Sequence, residues 1–244
     1  MNIAIIQARM GSSRLPGKVL KKINNVTMLE FMFNRLSLSK TIDKIVIATT
    51  SKKTDDPIET LCIKNDYSYY RGSENDVLDR YYHAALNYKA VNIIRLTSDC
   101  PLIDPKLVDQ TFELFTREKV DYASNTVPPD IKKYPDGSDV EIFSFDNLKK
   151  AWLNSTDLKE REHVTFYFWK SNNNFSLALL DNKLDWGKYR ITVDYEEDFI
   201  LIKEIVKILN KKKLFGYTNE IIEILQNNKK LFELNSSFKW GANW

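Results

Sequence analysis

Four short apolar runs, each followed by a stretch with helical periodicity, constrain the first half of this chain more than any other feature. Ile3 to Ile6, Asp43 to Thr50, Tyr67 to Arg71 and Val91 to Thr97 read as strands, the β-branched ones suited to burial on both faces. Between them, Thr27 to Leu36, Asp55 to Asn65 and Asp76 to Lys89 space apolar residues as amphipathic helices do. Thr27 and Glu30 form a capping-box pair, and Pro57 falls in a first turn, where its missing N–H costs nothing. A helix from Pro105 to Arg117 and a strand from Val120 to Ser124 continue the alternation. The pattern predicts an α/β fold, a mostly parallel twisted sheet with helices on both faces, whose ligands lie outside the carboxyl ends of the strands.

The loops at those ends are therefore the informative ones. Strand one runs into a basic Gly/Ser turn in which Gly11, Ser12 and Ser13 are small enough for their N–H groups to converge on an anion. Arg9, Arg14 and Lys18 bring three cations to the same loop, the chemistry of a triphosphate pocket. Neither the Walker P-loop nor the dinucleotide G-x-G-x-x-G spacing is present. Asp99 follows the fourth strand and is placed to offer a hard oxygen ligand, whereas Asp104, directly before Pro105, reads as a helix N-cap. Asp194 closes a predicted strand from Tyr189, and Glu196 and Glu197 after it read as first-turn helix acids. Asp76 and Asp79 with Arg80 read equally well as a capped, salt-bridged helix start.

From Asn125 the periodicity breaks at Pro128, Pro129, Pro135 and Gly137. A strand from Val140 to Phe143, helices from Phe145 to Leu153 and around Glu160 to Lys170, and a strand near Phe175 to Leu180 make up this middle region. Helices from Phe199 to Leu209 and Thr218 to Gln226 follow, and Lys229 to Trp244 carries no readable signal.

The net charge of +3 and the dispersed lysines argue against a nucleic-acid partner. The two cysteines form neither a disulfide framework nor a zinc spacing, which fits a reducing cytoplasm. No segment approaches the roughly 18 apolar residues of a membrane span.

Ala8 to Lys18 closely resembles A-R-x-G-S-x-R-L-P-G-K, the signature of cytidylyltransferases that make CMP-activated acidic sugars. The segments from Pro135 to Glu141 and Arg161 to Thr165 look like P-D-G-x-D-V-E and R-E-H-V-T, marks of the spore-coat-polysaccharide branch. The resemblance implies a single Rossmann-like nucleotide-diphospho-sugar transferase domain over residues 1–228, with 125–185 an inserted acceptor and dimerisation region and 229–244 a tail. It implies CTP, a sugar or sugar-acid acceptor, Mg²⁺ and a homodimer. By it, Ala8, Arg9, Gly11, Ser12, Ser13, Arg14, Lys18, Arg71, Ser73 and Asp76 contact the nucleotide, with Arg9, Arg14, Lys18 and Asp99 catalytic. Asp99 and Asp194 become the metal carboxylates, with Asp198 a second acid on the helix side. Asp136, Asp139, Glu141, Arg161 and His163 become acceptor residues; taken alone, His163 reads more readily as a helix-surface or core histidine. Two alternatives stay open, a nucleotide-sugar glycosyltransferase and a catalytically silent subunit. Thr97, Ser98 and Asp99 stand where a glycosyltransferase would carry Asp-x-Asp.

Overall fold

The computed structural model describes residues 1–126 and 133–238. Pro128, Pro129, Trp240, Gly241 and Trp244 lie outside the described residues. The chain runs β1 (Asn2–Gln7), β2 (Lys22–Ile23), β3 (Val26–Thr27), α1 (Met28–Leu36), β4 (Lys44–Thr50), α2 (Asp56–Lys64), β5 (Ser68–Gly72), α3 (Val77–Asn87), β6 (Asn92–Thr97) and α4 (Pro105–Glu118). It continues with β7 (Tyr122–Ser124), β8 (Glu141–Ser144), α5 (Phe145–Asn154), α6 (Leu158–His163), α7 (Phe166–Trp169), β9 (Leu177–Leu179), α8 (Glu196–Lys212), α9 (Thr218–Gln226) and α10 (Lys229–Glu233).

The main sheet has seven strands in the order β5-β4-β1-β6-β8-β7-β9. The pairs β4/β5, β1/β4, β1/β6 and β7/β9 are parallel, and β8 runs antiparallel to both neighbours. The predicted α/β sheet is thus present, and the strand order reverses between β1 and β6, the switch point where such sheets bind ligands. Strand alternation divides the apolar residues between two faces. Ile3, Ile5 and Ile93 pack against Tyr81 and Ala85 of α3 on one, while Ala4, Ile6 and Ile94 pack against Leu29, Met32 and Leu36 of α1 on the other. A third apolar cluster joins Ile191 and Val193 to α8 and α9.

Two expected elements differ. Tyr189 to Asp194 is extended, but among the described residues it joins no sheet and pairs only through a bridge from Arg190 to Asp136. The reason lies in its backbone donors, which go to loops: Ile191 and Thr192 N–H donate to Asp136 O, and Val193 N–H to Asp99 O. Gly137 makes this approach possible, because at φ 98° a Cβ there would lie 2.2 Å from Thr192 N. The helix expected over Glu160 to Lys170 is broken at Val164, whose φ of 60° and ψ of −54° turn the chain between α6 and α7. Thr165 N–H closes that turn on His163 O.

Candidate active site

The carboxyl ends of β1 and β6 open into a cavity of about 650 Å³, within the range of small-molecule sites. Lys18 is its electrostatic centre. Its loop turns through Gly17 at φ 67° into a single 3₁₀ turn, which leaves the side chain only 11% exposed. All three ammonium protons are used: Nζ donates to Val193 O at 2.6 Å and lies 3.0 Å from Asp194 Oδ1 and 3.4 Å from Asp99 Oδ2. Burial opposes the charge on Lys18, but attraction to Asp99 and Asp194 outweighs it and raises the pKa.

Asp194 collects three cations. Arg14 Nη2 stands 2.9 Å from its Oδ1 and Arg190 Nη2 3.0 Å from its Oδ2, with Lys18 the third. Burial would raise its pKa, yet these charges hold the carboxyl at about 2. Arg190 also reaches Asp136 at 2.5 Å and both oxygens of Asp198 at 3.0 Å. Fully buried Asp198 in turn accepts the N–H groups of Asp194 and Tyr195. Tyr195 is the N-cap of α8, so Asp198 fixes both the helix start and the site carboxylate before it.

Asp136 and Asp139 form a half-buried acidic pair beside this hub. Burial and the neighbouring Asp139 push Asp136 up to about 8 despite Arg190, and burial raises Asp139 too. Cys100 Sγ lies between Asp99 at 3.6 Å and Asp139 at 3.7 Å, and burial keeps its thiol protonated. Farther along, Glu141 pairs with Arg95 across the β6/β8 ladder and accepts the Tyr122 hydroxyl at 2.6 Å. His163 stacks on Phe166 at 4.3 Å, and burial lowers its pKa.

The cavity wall brings together Ala8, Arg9, Ser12, Ser13, Arg14, Lys18, Asp99, Asp136, Asp139, Glu141, His163 and Asp194. It does not include Gly11, Arg71, Ser73, Asp76 or Arg161. Arg71 is drawn to α2 by Asp56 and Glu59 and donates to the carbonyls of Thr50 and Lys52. Ser73 Oγ accepts Asp76 N–H. Asp76 caps α3 and pairs with Arg161 at 2.6 Å, so these two join α3 to α6 behind the wall. The expected pairing of Arg80 with Asp76 and Asp79 is also absent among the described residues. Asp79 binds Trp152 instead, and Arg80 turns into the wall, 2% exposed, donating to Ser73 O.

Sequence reasoning missed Gln7, Arg80, Arg95 and Arg190 on the wall and Asp55 behind it. Arg95 left a signal, a charge inside an otherwise apolar strand. Asp55 left none: its carboxylate accepts Met10 N–H at 2.7 Å and the Thr50 hydroxyl, pinning the basic loop from 45 residues away. Gln7 Oε1, Arg80 Nε and Arg95 Nε are buried polar atoms without a hydrogen-bond partner among the described residues. Such atoms are costly unless a ligand or water meets them.

Comparison with known proteins agrees with this geometry. A family model described as cytidylyltransferase matches residues 3–238. The chain is 38% identical to an uncharacterised protein of Methanocaldococcus jannaschii, over 97% of this chain and 95% of the other. It is 33% identical to the spore coat polysaccharide biosynthesis protein SpsF of Bacillus subtilis, over 92% and 93%. A cytidylyltransferase structure from Leptospira borgpetersenii superposes with a TM-score of 0.88 at 35% identity, covering 95% of this chain and 96% of that one. The structure of a CMP:2-keto-3-deoxy-manno-octonic acid synthetase complexed with CTP shares the fold at a TM-score of 0.63 and 16% identity, covering 84% and 98%. The basic loop, the carboxylates that meet it at the β1/β6 switch point and the match over residues 3–238 make one statement: this chain belongs to the cytidylyltransferase family.

Proposed function

We propose that the chain transfers CMP from CTP to a hydroxyl of a sugar or sugar-acid acceptor, releasing pyrophosphate, in surface polysaccharide or glycan biosynthesis. The observation that carries the reading is the convergence of Arg14 and Lys18 on Asp194, with Asp99 at the same ammonium, at the mouth of a cavity large enough for two substrates. The acceptor oxygen attacks the α-phosphorus; the bond from that phosphorus to the bridging oxygen breaks, its electron pair leaves with pyrophosphate, and the hydroxyl proton passes to solvent. Arg9, Arg14 and Lys18 take the triphosphate and hold the leaving pyrophosphate, so catalysis is mostly positioning and charge neutralisation. The orphaned atoms of Gln7, Arg80 and Arg95 suit a ligand rich in hydroxyl and carbonyl groups. Asp136, Asp139, Glu141 and His163 line the acceptor side of this reading.

The donor set also fits Mg²⁺. Asp99 and Asp194 meet at one ammonium, and among the described residues no group of three or more His, Cys, Asp or Glu side chains could hold a metal alone. Mg²⁺ commonly takes one or two carboxylates and completes its shell with phosphate oxygens and water. Bound there, it would supply charge neutralisation at the α-phosphate. SpsF, by its name, acts in spore coat polysaccharide biosynthesis, which supports the proposed setting. We place the protein in the cytoplasm as a homodimer. The buried, free cysteines accord with a reducing compartment, and no described helix is long and apolar enough to cross a membrane.

The test is calorimetric binding of CTP, UTP, GTP and ATP to the purified protein with Mg²⁺. Selective CTP binding, followed by acceptor-dependent pyrophosphate release, is the expected result. Preference for a UDP- or GDP-type nucleotide, or nucleotide binding without turnover over a broad acceptor panel, would overturn the proposal.

A further inference from the structure

The chain after α9 is where the sequence is least readable, yet it touches the site's charge network at two points. Asn235, 3% exposed, donates through Nδ2 to Asp198 Oδ1 at 2.7 Å and to Arg190 O at 3.2 Å. Phe238 stacks on Tyr195 with ring centroids 4.1 Å apart and planes 10° from parallel. The Tyr195 ring in turn carries Arg14, whose Cζ lies 5.2 Å from its centroid. Arg190 Cζ stands 6.0 Å from the Phe238 ring. The segment is anchored rather than loosely laid on the surface: Leu231 is buried, and Phe232 meets Tyr189 edge-on at 5.5 Å.

We infer that Asn235 and Phe238 are positioning residues that hold Arg190 and Arg14 in the arrangement that receives the triphosphate. This inference rests on the proposed binding of CTP at the basic loop. Neither residue is on the cavity wall. Asn235 acts through Asp198, which orients the Arg190 guanidinium and the backbone of Asp194. Phe238 acts through Tyr195, which limits where the Arg14 guanidinium can lie. Arg14 and Arg190 meet at the Asp194 carboxylate, one on each oxygen, so both routes end on the same group. Long cationic side chains lose rotamer entropy when they grip an anion, and a site that has already fixed them binds the anion more tightly.

The experiment measures the dissociation constants of CTP and CMP by calorimetry, with Mg²⁺, alongside the melting temperature. The probes are wild type, Asn235→Ala, Phe238→Ala and Phe238→Tyr. CMP lacks the β- and γ-phosphates, so a defect in triphosphate positioning weakens CTP and spares CMP, whereas general loosening of the fold weakens both. Asn235→Ala is expected to raise the CTP dissociation constant by about tenfold, the usual consequence of losing a hydrogen bond to a charged group, with CMP unchanged. Phe238→Ala should act in the same direction, and Phe238→Tyr, which keeps the stack, should restore wild-type CTP binding. Unchanged CTP affinity in both alanine variants, or equal loss of CTP and CMP affinity, would overturn the inference. Wild-type protein that binds no CTP at all would instead overturn the proposed function, and the inference with it.

Discussion

At the scale of single residues, the surroundings of Lys18 and Asp99 separate two effects that sequence alone would merge. Both are expected to matter for turnover, but Lys18 is buried between two carboxylates, while the Asp99 side chain is 29% exposed with one cation at 3.4 Å. Lys18→Ala removes the charge between buried Asp194 and part-exposed Asp99, and removing one partner of a buried ion pair is strongly destabilising. It should lower kcat/KM by about 100- to 1000-fold, as loss of one transition-state donor does, and also lower the melting temperature by several degrees. Asp99→Asn should produce a comparable loss of turnover with a melting temperature close to wild type. Paired rate and melting measurements decide the matter; a Lys18→Ala protein as stable as wild type would show that the network does not hold the fold together. Asp194 adds a pH signature. Its folded pKa of about 2 lies below the unfolded value, so its stabilisation is full above about pH 4 and is lost as the pH falls through about 2.

At the scale of elements, Asp104 ties two helices with one carboxylate. Oδ1 accepts Lys106 N–H at the start of α4, and Oδ2 accepts the N–H and hydroxyl of Thr218 at the start of α9. Asp104→Ala removes a cap, which costs about 1 kcal/mol, and orphans a buried N–H, which costs about 1–3 kcal/mol more. A drop of about 2–4 kcal/mol in urea unfolding, with unchanged m-value, is the expected outcome; a change under about 0.5 kcal/mol would mean that α9 is held by its apolar face alone. This cap was legible in the sequence, as was the Thr27 and Glu30 capping box, because both sides of each interaction lie within a few residues. Strands β1, β4, β5 and β6 were legible for the same reason, their burial being written in consecutive residues, whereas the two-residue strands β2 and β3 are too short to leave a pattern. Tyr189 to Asp194 was not, since alternating apolar residues mark an extended segment without saying whether its N–H groups meet a strand or a loop. Arg71 misled because its partners, Asp56 and Glu59, sit on the preceding helix and draw it off the cavity. The Arg190 hub was only half legible: Asp194 and Asp198 follow it closely in the chain, but Asp136 lies 54 positions away, a distance over which charge pairing leaves no local pattern.

At the scale of the whole molecule, the acidic pair beside Arg190 sets how stability follows pH. Asp136 is held up to about 8, first by burial and then by Asp139, so between about pH 4 and pH 8 the folded protein binds a proton that the unfolded chain has released. Stability therefore falls as pH rises across that window. Asp194 does not mask the trend, because its own change is complete below about pH 4. His163 works in the opposite sense below the ordinary imidazole range, since burial lowers its pKa and the unfolded imidazole binds the extra proton there. The window for Asp136 is thus about pH 7 to 8, above the histidine; the buried Cys62 and Cys100 thiols push the same way at its upper end, so the Asp139→Asn comparison isolates the acidic pair. Urea midpoints for the protein without nucleotide should decrease from pH 7 to pH 8. Asp139→Asn, which removes the like charge but keeps an oxygen for the Gly137 N–H, should flatten that decrease. A wild-type midpoint that stays level or rises over this range would show that Arg190 neutralises the pair completely, and that the acidic cluster costs the fold nothing at working pH.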